Sequence, residues 1–126
     1  MSLKTPLGTA RGLGSAKSGT HHWIMQRITA VALVPLTIWF VFSAVALAGA
    51  GHGEAIAWLA QPINAVLMLL LIIATFHHLQ LGLQVVIEDY VHAEGVKIAS
   101  LLAVKLAAFA LAVAAGFAVL KVAFTG

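Results

Sequence analysis

The sequence predicts an all-α integral membrane protein with three transmembrane helices. Three observations carry this. The chain is 62% hydrophobic and only 9% charged over 126 residues, where soluble domains carry about 25% charged residues. Its apolar residues fall into three long runs, each able to span a hydrocarbon core of about 30 Å as a helix of about 20 residues. It has no cysteine, which excludes disulfides, cysteine-ligated iron–sulfur clusters and thiolate zinc sites. The length leaves room for one small domain.

Residues 1–20 hold no apolar core of signal-peptide length and no clear cleavage site. They read as a Gly- and Ser-rich cytoplasmic tail, either lying on the membrane or a partner, or disordered. The membrane domain then occupies 21–126, with spans over about 24–50, 62–88 and 97–124. The first span contains Pro35, which should free the Val31 carbonyl and bend the helix. Before the second span, Trp58 within "GEAIAWLAQ" marks a short interfacial helix over about 54–60. Pro62 suits the first turn of the span itself. In the third span, Lys105 and Lys121 can snorkel toward opposite interfaces, and "AAFALAVAAGFA" supplies small residues for close helix packing.

Charge sets the direction. Lys4, Arg11, Lys17 and Arg27 precede or open the first span; the loop "GAGHGE" has no Lys or Arg, and Glu88–Lys97 has one. The positive-inside rule therefore puts the N-terminus in the cytoplasm and the C-terminus on the far side. The same basic residues lack aromatic interleaving or any nucleic-acid motif, so no nucleic acid is implied.

The chemically informative stretch is "TFHHLQLGLQVVIEDYVH", Thr75 to His92. His77 and His78 lie well inside the second span, where an ionisable side chain must face protein, a cofactor or a water cavity. Helical neighbours diverge by about 100°, so the two cannot act in one direction. His78 shares its face with Gly82, Val85 and Asp89. A histidine beside a residue without a side chain suits a flat macrocycle, with His78 as axial metal ligand. On spacing alone, a histidine bonded to a neighbouring helix fits equally well. Zinc is disfavoured, since no second ligand stands at metal-ligand spacing on this face. His21, His22 and Arg27 flank the start of the first span. They suit either the anionic propionates of a haem or simple interfacial anchoring beside Trp23.

His78, Gly82, Gln84-Val85 and Asp89-Tyr90, together with "SGTHHWIMQRITAVAL", resemble the smaller membrane-anchor subunits of succinate dehydrogenase, respiratory complex II. The resemblance covers about the last four-fifths of the chain. It implies a heteromeric helical bundle in a bacterial cytoplasmic (inner) membrane, with the C-terminus periplasmic. One haem b would be shared with a second, cytochrome b membrane-anchor subunit. His78 corresponds to the haem ligand, and His21 and Arg27 to positions near the propionates. Tyr90 corresponds to the tyrosine that hydrogen-bonds ubiquinone, and Asp89 to the neighbouring acid. The iron–sulfur and flavoprotein subunits would dock on the cytoplasmic face, so the chain would not be catalytic alone. Two other functions remain compatible with the residues: the anchor of a quinol:fumarate reductase, and a small proton-relay or transport module using His77, His78 and Asp89. No internal repeat supports the second.

Overall fold

The structure is a computed structural model that describes residues 17–125. It contains four helices: α1 (Lys17–Leu47), α2 (His52–Ala60), α3 (Pro62–Tyr90) and α4 (Glu94–Thr125). No strand occurs among the described residues. The expected tail over residues 1–16 lies outside them. Lys17–Thr20, read as tail from the sequence, form the first turn of α1.

Three helices, α1 from Gly19 onward, α3 and α4, are long and apolar enough to cross a membrane. At 1.5 Å per residue, the 29 residues of α3 measure roughly 43 Å, enough to cross the hydrocarbon and emerge. Pro35 lies within α1, which continues through it to Leu47.

The connections are short. After α1 the chain turns at Gly49, whose φ of 83° is the left-handed conformation that glycine adopts without strain. The Ala50 amide donates to the Leu47 carbonyl at 2.9 Å and closes this turn. Between α2 and α3, Gln61 is extended and Pro62 opens α3, where its missing N–H leaves nothing unsatisfied. Buried Asn64 ties this corner together. Its Nδ2 donates to the Trp58 carbonyl at 2.9 Å and to Gln61 Oε1 at 3.1 Å. The Trp58 ring stacks on Trp39 of α1 with centroids 5.5 Å apart.

α3 is the central helix, packed against both α1 and α4, while α2 leans on α3 and α4. The apolar core is thin: Ala65, Ala74, Leu81 and Val119 are its buried members. Large apolar side chains such as Val31, Phe42, Val45 and Phe124 are exposed. In water this surface would be ruinous; in lipid it is the ordinary outer face of a membrane bundle.

Candidate functional site

The polar side chains concentrate where the first half of α1 meets the second half of α3. His22 and Thr29 are seven residues apart, so they share a face of α1. That face meets α3 in antiparallel register. His22 Nε2 lies 3.3 Å from the Leu81 carbonyl oxygen, which only accepts, so this nitrogen carries the proton. Thr29 Oγ1 lies 3.0 Å from His78 Nδ1. The same hydroxyl sits 2.8 Å from the Met25 carbonyl oxygen and 3.1 Å from that of Gln26. Thr29 is 6% exposed and His78 is half-buried, so the contact is part-buried in the α1–α3 interface. His78 Nε2 makes no hydrogen bond among the described residues.

His77 points elsewhere, as helical geometry requires. It lines a cleft of about 1180 Å³ between α3 and α4, together with Gln80, Gln84, Lys105 and, from α1, His21 and His22. His77 Nε2 is buried there without a hydrogen-bond partner. Gln80 donates to Gln84 at 3.4 Å and Gln84 to Glu88 at 3.1 Å, continuing a polar file along one face of α3 to its end.

Each residue singled out in the sequence can now be placed. His78 faces α1 through Thr29 and is not part of the cleft lining. A Cβ added to Gly82 would meet nothing within 4 Å, so the space beside it is open within this chain. Asp89 and Tyr90 are exposed at the end of α3. The helix stops at Tyr90, and Val91 turns extended, with its amide bonded to the Ile87 carbonyl at 2.9 Å. Asp89 and Tyr90 are both within the helix, so their side chains diverge by about 100°. His21 and Arg27 are not brought together. Six residues separate them on α1, about 120° in direction. His21 borders the cleft, and the Arg27 guanidinium lies over the Trp23 ring, 5.4 Å from its centroid. No cluster of three or more His, Cys, Asp or Glu able to hold a metal ion occurs among the described residues.

Two partners were not visible in the sequence reading. Thr29 is one; its signal was a hydroxyl residue in an apolar span, one heptad beyond His22. The other is the cleft side of His77, which only the packing of α4 against α3 creates.

A chain with three helices able to cross a membrane, a thin core and an apolar outer surface is an integral membrane protein. Residues 1–114 match the family model described as succinate dehydrogenase/fumarate reductase transmembrane subunit. The succinate dehydrogenase hydrophobic membrane anchor subunit of Rickettsia bellii is 41% identical over 97 residues, 77% of this chain and 78% of that one. The corresponding subunit of Paracoccus denitrificans is 37% identical over 87 residues, 68% of this chain and 67% of its own length. The chain belongs to this family, as a membrane-anchor subunit of the succinate dehydrogenase type.

Proposed function

We propose that the chain helps bind one haem b within the membrane and forms part of the site where ubiquinone is reduced, using electrons delivered by an iron–sulfur subunit. Its partners in this reading are a second, cytochrome b membrane subunit, the iron–sulfur subunit and the flavoprotein subunit. The N-terminus and Asp89–Tyr90 lie on the cytoplasmic side and the C-terminus on the periplasmic side, following the positive charge ahead of the first span. Quinone reduction is the direction favoured, because the relatives carry the name succinate dehydrogenase.

The observation that carries the reading is the layout of α3: a histidine engaged through Nδ1 only, and, twelve residues further on, a tyrosine exposed where the helix ends. The donor set fits a haem. His78 retains an Nε2 without a hydrogen bond among the described residues, and Gly82 one turn on leaves open space. His78 would hold the iron. This chain has no second histidine on the same face, so any second protein ligand to the iron would have to come from a partner chain. His21 and Arg27 would stand near the carboxylates of the group. When bound, the haem supplies a one-electron centre in the membrane.

At the end of α3, the Tyr90 hydroxyl donates a hydrogen bond to a quinone carbonyl oxygen. Asp89 orients water, or a basic group of a partner, for proton delivery to the reduced ring. These residues place the quinone at the membrane edge, where electrons from a docked subunit arrive.

The test is the reduced-minus-oxidised optical spectrum of the purified complex carrying His78→Leu or His77→Leu. His78→Leu should shift or abolish the haem band, and His77→Leu should affect it less. An unchanged spectrum in His78→Leu would remove the ligand assignment; loss only in His77→Leu would move it to the cleft.

A further inference from the structure

We infer that Thr29 is a positioning residue that holds His78 in the tautomer able to bind a metal through Nε2. The inference rests on His78 being the haem ligand. It starts from a count of protons. Thr29 Oγ1 has a single proton and three neighbours: the Met25 carbonyl at 2.8 Å, the Gln26 carbonyl at 3.1 Å and His78 Nδ1 at 3.0 Å. The hydroxyl donates back to its own helix, chiefly along the shorter bond to the Met25 carbonyl. A lone pair of Oγ1 is then left facing His78. Nδ1 must carry the imidazole proton and donate it, because two facing lone pairs at 3.0 Å would repel.

A neutral imidazole with its proton on Nδ1 has its free lone pair on Nε2. The burial of Thr29 gives this choice force. Thr29 is 6% exposed, and the opposite tautomer would require the hydroxyl to give up its shorter bond to the Met25 carbonyl and turn toward Nδ1. Thr29 also fixes the ring plane, since the bond locks the imidazole against α1. His22 is positioned on the same face one heptad earlier and holds α1 to α3 through the Leu81 carbonyl. It keeps Thr29 in register with His78 without touching the ring. A ligand histidine whose other nitrogen donates a hydrogen bond is more basic and better oriented, and removing such a partner costs about 10–100-fold in metal affinity.

The experiment uses the purified, assembled complex with Thr29→Val, Thr29→Ala, Thr29→Ser and His78→Leu. Haem retention is measured by transfer to an excess of an apo-globin, and ligand geometry by the low-spin haem electron paramagnetic resonance signal. The haem midpoint potential is titrated alongside. Dye-linked succinate oxidation serves as the assembly control. Thr29→Val is expected to lose haem about 10–100-fold more readily. Its midpoint should move to more positive values, because a less basic imidazole stabilises ferric iron less. Thr29→Ala takes its place if valine prevents assembly. Thr29→Ser keeps the hydroxyl and should restore wild-type behaviour. Wild-type retention, spectrum and midpoint in both Val and Ala would overturn the inference, as would serine failing to rescue them. If His78→Leu loses haem while the Thr29 variants do not, the ligand assignment stands and only the role of Thr29 falls. If His78→Leu keeps its haem signal, both fall together.

Discussion

Tyr90→Phe removes one oxygen and keeps the ring, so it isolates the hydroxyl proposed to hold the quinone. Tyr90 is 77% exposed and its hydroxyl makes no hydrogen bond among the described residues. The substitution therefore leaves no buried donor or acceptor stranded within this chain, and the fold should not register it. What is lost is a hydrogen bond to a carbonyl that gains negative charge as it is reduced. Hydrogen bonds to neutral groups contribute about 0.5–1.5 kcal/mol, and those to charged groups about 1.5–3 kcal/mol. The expected loss in kcat/KM for quinone reduction is about 1–3 kcal/mol, or about 5–150-fold. The assay compares two activities in one membrane preparation: succinate-driven quinone reduction, and reduction of an artificial dye that takes electrons upstream. Only the first should fall. Equal loss of both would mean failed assembly, and no loss of either would leave Tyr90 as an aromatic anchor at the membrane surface.

Three further outcomes are expected. A single cysteine placed in the Gly49–Gly53 loop should react with an impermeant thiol reagent on intact cells, and one at Ala93 should not; the reverse labelling would invert the orientation. Gly82→Leu should lower haem content with little effect on this chain's own packing, since among the described residues no other side chain or helix lies within 4 Å of an added Cβ. Haem occupancy per assembled complex reads this out, and full occupancy would show the space to be unused. Asn64→Leu removes the bonds that tie α3 to Trp58 and Gln61, a local cost of about 1–3 kcal/mol. Hydrogen exchange over His52–Ala60 should accelerate, and unchanged exchange would mean that the tryptophan stack alone holds α2.

Some of this was legible in the sequence, for identifiable reasons. Pro62 announces the start of α3 because a proline at the first helical position costs no hydrogen bond. The polarity of Glu88-Asp89-Tyr90 marks where the span leaves hydrocarbon, but the helix runs on through all three, past the end expected at about residue 88. The start of α1 was not legible: Ser18, Gly19 and Thr20 are poor helix formers, and their helical state follows from continuity with the apolar run behind them. The divergence of His77 and His78 was dictated by a 100° step. Which neighbour each would meet was not, because that depends on where α1 and α4 settle around α3. Spacing within a single helix reports direction; it carries no information about the helix that waits there.

That limit bears on how any variant at the site is to be read. In lipid, an apolar side chain gains little by choosing a neighbouring helix over acyl chains, so the apolar faces of α1, α3 and α4 discriminate weakly between registers. Polar contacts between elements must do more of that work. Among the described residues, the side-chain hydrogen bonds joining α1 to α3 are those of His22 with Leu81 and Thr29 with His78. α4 makes no such bond to another helix among them, and packs on α3 through close approaches such as Gly116 against Leu69. The groups proposed to serve the haem are therefore also the groups that align the helices carrying it. Deleting His78 removes a ligand and a register contact in one step, so loss of haem in that variant alone cannot separate the two. Substitutions that keep one role and remove the other can do so. Thr29→Ser retains the contact, Thr29→Val retains the volume, and Gly82→Leu leaves both helices as they are while filling the space beside them.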